Sequence, residues 1–285
     1  MTNRTIEIDD PSLDPFRDVR ERDLRGRRGG FVVESPRVVM RFLDAVDEGR
    51  FGLDAIAIAP DLAPEIEARL ERMGCPFVRC SEAILTEASG YRFHAGAIAI
   101  GRRPSAPPTL EGLWSRIDDG RSGTIVMLAG VTSMDNIGSI FRSIAALGGD
   151  AVILDRRSGD PLLRRAIRIS MGQVFRVPWF GIETLSEAID QLRERGFSVY
   201  GIENVAGAET VDSHPLADRA ALVVGNEANG VPAEILDRCD EIRRIAGPGG
   251  LPTAERPGGD DERSLNAGIA CAIALHEAMR SRRNR

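Results

Sequence analysis

Three short segments carry residue types that can do chemistry on a bound ligand. The first is Asn136-Ile-Gly-Ser-Ile-Phe-Arg142, which follows an apolar run and opens a helical pattern. At a helix start Asn136 can act as N-cap, accepting from a backbone amide, and Gly138 in the first turn admits a close approach. Arg142, further along, carries a long side chain able to reach back toward that end. The same residues also fit an ordinary capped helix with one surface arginine. The second segment, Gly225-Asn-Glu-Ala-Asn-Gly230, follows the apolar run Ala221–Gly225. Ligands of open α/β sheets bind off the carboxyl ends of strands, and its glycines permit a tight turn with exposed amides. Glu227 offers a carboxylate there, fit to orient Arg142, to attract a cationic ligand, or merely to cap a helix. The third is Ser264-Leu-Asn266, followed by the small-residue run Ala267-Gly-Ile-Ala-Cys-Ala272. Polar side chains and free amides at the start of a last helix can face a ligand; a capped amphipathic helix reads equally well.

Other chemistries find no residues to support them. No G-x-G-x-x-G follows the first strand of the second half, and no G-x-x-x-x-G-K-[ST] occurs anywhere, so the dinucleotide fingerprint and the Walker A loop are absent. Cys75, Cys80, Cys239 and Cys271 form no C-x-x-C pair, and His94, His214 and His276 are scattered, which leaves no zinc pattern and no metal expected. Free thiols suit a reducing compartment. The polar, acidic stretch Met1 to Pro11 does not read as a signal peptide, and no apolar run approaches the roughly 20 residues of a membrane span. A cytoplasmic location is expected. All 37 basic residues are arginine, with no lysine, in a chain of net charge −6. That balance weighs against general nucleic-acid affinity, yet arginine grips phosphates bidentately and stacks on bases. Local clusters occur from Arg17 to Arg28, at Arg164, Arg165 and Arg168, and from Arg280 to Arg285. Such runs are more often solvated faces than binding sites.

The elements that must position these residues alternate. The 285 residues, 42% hydrophobic and 28% charged, suffice for two ordinary domains with their own cores. The run Arg103 to Pro108 (RPSAPP) reads as an interdomain break, giving a small α/β domain at 1–105, a linker at 106–122 and a larger domain at 123–285. Strands are expected at Phe31–Glu34, Ala55–Ala59 and Ala97–Ile100, with helices at Pro36–Val46 and Ala63–Met73. In the larger domain strands are expected at Thr124–Leu128, Ala151–Leu154, Ser198–Ile202, Ala221–Gly225 and Glu241–Ile245. Helices fall at Ile137–Leu147, Leu162–Met171, Thr184–Arg195, Pro232–Arg238 and Leu265–Met279. Strands alternating with helices predict an α/β fold with a mostly parallel sheet covered on both faces.

In combination and in this order, N-x-G-x-x-x-R after a strand, G-x-E-x-x-G, and S-L-N opening the final helix resemble the three motifs of the SpoU (TrmH-like) RNA methyltransferases. The resemblance spans Gly123 to Met279, and Arg168-Ile-Ser170-Met-Gly172 is similar to that family's R-x-S-x-G segment. Phe31-Val-Val-Glu34 and the strand after His94-Ala-Gly96 are similar, more loosely, to the α/β RNA-binding domain that precedes many rRNA-directed members.

The resemblance implies a SPOUT fold with a C-terminal trefoil knot, S-adenosylmethionine as methyl donor, RNA as partner and a homodimeric assembly. Gly225, Ile245, Leu265 and Asn266 would contact the donor. Arg142 would be the central catalytic group acting on a ribose 2′-hydroxyl, with Asn136, Glu227, Ser264 and Asn266 positioning it and the ribose. Because a guanidinium stays protonated below about pH 12, stabilising a developing alkoxide suits Arg142 better than acting as base. One departure is the Gly/Pro-rich, acidic stretch Gly247 to Arg263, where the family has a much shorter loop, with Ala246 in place of a common proline. It is expected to be a mobile surface loop, a lid or a substrate filter beside the donor site. The first domain favours 23S rRNA as substrate. A tRNA 2′-O-methyltransferase, a non-catalytic ribosome-binding protein and an enzyme of small nucleotides remain open.

Overall fold

The computed structural model describes residues 6–17, 29–59, 64–90, 96–104, 109–117, 122–226, 228–247 and 265–283. Its residues group into two compact units, one of Met1–Pro107 with Leu162–Arg176, the other of Pro108–Pro161 with Val177–Arg285.

The first unit is built on a four-stranded sheet of β1 (Gly30–Glu34), β2 (Gly52–Ile58), β3 (Val78–Arg79) and β4 (Ala97–Arg102), in the order β1-β4-β2-β3. β4 runs antiparallel to both β1 and β2, and β3 adds parallel to β2. Alternation sends successive side chains to opposite faces. Val32, Ala57, Ile98 and Ile100 meet Leu13 and Phe16 of a 3-10 turn, Pro11–Phe16, and Leu85 and Ala88 of a helix at Glu82–Ser89. Phe31 points the other way, onto α1 (Pro36–Asp47), where its ring meets Phe42 edge-on at 5.5 Å. α1 is joined to α2 (Pro64–Met73) by Arg69, which pairs with both Asp44 and Asp47. The helix at Glu82–Ser89 becomes α3.

Residues 162–176 complete this unit. α6 (Arg164–Ile169) and a 3-10 turn, Gln173–Phe175, lie within it, although the alternation of the sequence assigns them to the larger domain. The reason is Phe175, fully buried among Phe31, Phe42 and Phe51 with ring centroids 5.2 to 5.8 Å apart. Burying such a ring contributes about 1.5–3 kcal/mol. The expected helix Leu162–Met171 is correspondingly shorter, because Met171 and Gly172 both take positive φ, 55° and 78°.

The second unit is a seven-stranded sheet in which every pair is parallel. It comprises β5 (Gly123–Ala129), β6 (Ala151–Asp155), β7 (Trp179–Ile182), β8 (Ser198–Ile202), β9 (Glu209–Thr210), β10 (Arg219–Gly225) and β11 (Glu241–Arg244), ordered β7-β6-β5-β10-β8-β11-β9. β5 is buried along its whole length, as a strand covered on both faces must be. On one face Ile125, Met127, Ile153 and Val223 pack against α4 (Leu110–Ile117) and α7 (Leu185–Glu194). α5 (Met134–Leu147) and α9 (Ala267–Arg283) pack on each other, and α9 also lies against β10. The short α8 (Ala233–Leu236) adds Ile235 to the core.

α4 corrects the expected linker at 106–122. Leu110, Leu113 and Trp114 recur at helical spacing, and Leu113 and Trp114 are buried in the core of the second unit. Trp114 also donates to Gln191 Oε1 at 2.6 Å while Arg195 lies over its ring. The strands β3, β7 and β9 and helix α3 had no legible pattern: two of those strands are only two residues long. Among the described residues, no helix is long and apolar enough to cross a membrane.

Candidate functional site

Four neighbouring strands, β5, β10, β8 and β11, bring their carboxyl ends side by side, the place where open α/β sheets receive ligands. Gly225 ends β10, paired with Ala129 of β5. The chain turns there and comes back over it: a Cβ on Gly225 would lie 2.2 Å from Gly230 C and from Val231 N. Both atoms are backbone, so no rotamer change relieves the contact. Gly230 is required twice, by a φ of 66° and by Glu203, whose Oε2 would sit 2.4 Å from an added Cβ.

Two side chains that sequence reasoning did not single out hold this turn. Asn226 donates to Gly130 O at 2.9 Å and accepts from Ala228 N at 2.8 Å, tying the turn to the loop after β5. Glu203, just past β8, accepts from Val231 N at 2.8 Å. Asn226 stood inside the motif and was open to notice. Glu203 also accepts from the amide of its neighbour Asn204, and its partner in the turn is a backbone amide 28 positions on, which leaves no sequence signal. Gly130 itself is left-handed, its amide received by both oxygens of Asp155 at 3.0 and 3.1 Å.

The helix bearing Arg142 starts earlier than expected, which corrects the reading of Asn136. The N-cap of α5 is Ser133, whose side chain accepts from Asn136 N. Asn136 therefore lies inside the first turn, buried, with its side chain turned to the last helix instead. Its Oδ1 accepts from Asn266 Nδ2 at 2.7 Å. Asn266 in turn is the N-cap of α9, its Oδ1 accepting from Gly268 N at 3.0 Å and Ile269 N at 3.3 Å. The first and third motifs thus meet through one amide pair. Gly268 allows the approach, since a Cβ there would fall 2.2 Å from Ser139 Oγ. Cys271, on the buried side of α9, has its thiol pushed up to about 12 by desolvation.

Arg142 is exposed on α5, and among the described residues its guanidinium has no hydrogen-bond or ion-pair partner. It is not bonded to the Asn136–Asn266 pair. Ile245, one residue past β11, is half-buried, and Leu265 is 45% exposed at the mouth of α9. β11 is anchored by Arg243, which is fully buried and donates to Ser213 Oγ at 2.7 Å and Glu209 Oε2 at 3.1 Å. Glu227 and Ser264 lie outside the described residues, as does most of Gly247 to Arg263. Among the described residues no three His, Cys, Asp or Glu side chains are grouped to hold a metal.

The chain is similar to known proteins in sequence and in fold. The sequence model of the SpoU rRNA methylase family matches residues 123–276. An uncharacterized tRNA/rRNA methyltransferase of Mycobacterium bovis is 31% identical over 280 residues, 96% of this chain and 90% of that one. Among solved structures, an RNA 2′-O ribose methyltransferase superposes with a TM-score of 0.71 at 24% identity, covering 97% of this chain and 98% of the other. The SpoU methyltransferase AviRb from Streptomyces viridochromogenes, in complex with the cofactor AdoMet, gives 0.74 at 21% identity, covering 96% and 98%.

Proposed function

Because the chain belongs to the SpoU methylase family, we propose that it transfers a methyl group from S-adenosylmethionine to a ribose 2′-hydroxyl of RNA, with 23S rRNA as the substrate. The observation that carries this reading is the hydrogen bond from Asn266 to Asn136. It ties the residues that open the last helix to the first turn of the helix presenting Arg142.

The residues fit the donor. Gly225 ends β10 and Ile245 lies one residue past β11, where backbone groups beyond the ladder are available for an adenosine. Leu265, a large apolar side chain of the third motif that is 45% exposed, offers surface for a base. When bound, S-adenosylmethionine supplies a methyl group on a sulfonium, open to displacement by an oxygen nucleophile.

The chain's own part is to bind, orient and stabilise charge. Arg142, exposed on α5 and without a partner among the described residues, stabilises the negative charge that grows on the ribose oxygen as its proton leaves for solvent. A guanidinium is worth most where water is excluded, a condition that bound RNA covering this exposed side chain would supply, and the same fork can also hold a neighbouring phosphate. Asn136 and Asn266, locked to each other, set the spacing of α5 against α9; Glu227 and Ser264 complete the set by resemblance. A C-terminal trefoil knot is part of this reading, supported by the turn that folds back across Gly225 and by α9 returning to β10 and α5. So is a homodimer, supported by the apolar side chain of Ile269, 53% exposed on α9. A cytoplasmic location accords with four free cysteines. The first unit, an α/β domain read as RNA-binding, favours rRNA over tRNA, although the Mycobacterium bovis relative is named for both.

The test is tritium transfer from labelled S-adenosylmethionine to total RNA of a strain lacking the protein. Label in large-subunit rRNA, resisting alkaline cleavage at one ribose and lost with Arg142→Ala while donor binding persists, is the expected result. Full turnover by Arg142→Ala would overturn the role given to that residue. Label on a base, or in no RNA at all, would overturn the reaction.

A further inference from the structure

The segment that completes the first unit is strongly basic. Residues 162–176 hold four arginines, Arg164, Arg165, Arg168 and Arg176, and no carboxylate. This occurs in a chain of net charge −6, so the concentration is local.

The segment is seated on β1 and on the amino-terminal half of α1, which is basic too. Arg41 donates to Met171 O. A Cβ on Gly172 would lie 3.1 Å from Val38 and 3.5 Å from Arg41 Cδ. Arg37, one turn before Arg41, shares its side of the helix. Arg50 donates to Phe175 O, next to Arg176, and Arg164 pairs with Glu34 at 2.9 Å.

Among the described residues, the carboxylates of β1, α1 and the turn that follows it are already engaged. Glu34 is held by Arg164, Asp44 and Asp47 by Arg69, and Glu48 by Arg50. Arg37, Arg168 and Arg176 remain exposed, and among the described residues none of their guanidinium groups has a partner. An array of unpaired guanidinium groups on rigid elements, with the surrounding acids neutralised, matches a polyanion that offers repeated phosphates.

We propose that Arg37, Arg168 and Arg176 form the docking surface of the first unit for an RNA phosphodiester backbone. The face exists only because residues 162–176 fold into that unit. This inference rests on the reading of the protein as an RNA methyltransferase and names the side chains that grip the backbone of its substrate. Phosphate contacts of this kind fix register and orientation and carry no sequence information.

The experiment uses the full chain. Filter binding of purified 23S rRNA from a strain lacking the protein is followed from about 50 to about 200 mM salt. The wild type is compared with Arg37→Gln/Arg168→Gln/Arg176→Gln and with the corresponding triple lysine variant. Each neutralised phosphate contributes roughly 0.7–0.9 to the slope of log K against log salt. The glutamine variant is therefore expected to bind at least about tenfold more weakly at the lower salt, with the slope reduced by roughly two units. The lysine variant, which keeps the charge, is expected to hold the slope. Donor affinity and the thermal midpoint stay at wild-type values, since all three side chains are exposed.

Wild-type affinity and slope in the glutamine variant would overturn the proposal while leaving the methyltransferase reading intact. Equal losses in the lysine and glutamine variants would overturn it too, by pointing to a structural role. A wild-type protein that binds S-adenosylmethionine but no RNA would remove the functional reading itself, and this face with it.

Discussion

The two units hold their important residues by opposite means. At the carboxyl ends of β10 and β8 the second unit sets backbone against backbone: Gly225 lies under Gly230 and Val231, and the turn is pinned by Asn226 and Glu203. In the first unit the inserted segment is held by side chains, the ring of Phe175 among three others and the arginines Arg41 and Arg50 on main-chain carbonyls. Backbone contacts leave no room for relaxation and demand one residue type at one position. Side-chain contacts tolerate repacking and spread their cost over several partners.

That contrast can be broken most sharply at Gly225. Gly225→Ala puts a methyl carbon where two backbone atoms already are, so donor binding is expected to vanish and the unfolding free energy to fall by more than about 4 kcal/mol. Isothermal titration with S-adenosylmethionine and denaturant melts measure the two; an alanine variant that binds normally would show that the turn is softer than its geometry. Phe175→Ala removes the ring from the first unit and is expected to cost about 3–5 kcal/mol. Its effect should be larger on rRNA affinity than on donor affinity, because the arginine face loses its seat. Equal losses on both would merge the two regions.

A smaller effect is expected at the link between motifs. Asn266→Ala loses an N-cap, worth about 1 kcal/mol, and leaves the buried Asn136 Oδ1 without a donor, about 1–3 kcal/mol more. Turnover should drop with little change in RNA affinity, readable as kcat against KM. Last come the thiols. Desolvation raises Cys80 and Cys239 to about 11 and Cys271 to about 12. A neutral thiol favoured by folding stabilises fully below the ordinary value of 9.0, and that contribution is lost as pH climbs toward the raised values. At pH 8 these three should resist alkylation until the protein unfolds, while the half-buried Cys75 reacts; rapid labelling of Cys271 would show that α9 opens from α5.

Legibility in the sequence followed the same divide. The glycine turn could be read because Gly225 and Gly230 are irreplaceable, and β8 fell on Ser198–Ile202 because a short apolar run before a charged residue has few alternatives. Asn136 was legible as a motif residue but not in its role: Ser133 competes for the same cap, and its side chain took that position. Phe175 gave no hint of its place, since an apolar residue in a run of apolar residues does not declare which core it joins. Its partners Phe31, Phe42 and Phe51 stand more than a hundred positions earlier. Leu113 and Trp114 were hidden by the prolines before them, which drew attention to a break and away from the short amphipathic helix that follows.

The placement of Phe175 also orders events during synthesis. Chains fold by domains as they emerge, amino-terminal parts first. Here the first unit must wait, with the niche between Phe31, Phe42 and Phe51 unfilled, until β5, α5 and β6 have been made and residues 162–176 have followed them out of the ribosome. A nascent chain stalled near residue 110 should be open to protease, and one stalled well past residue 176 resistant.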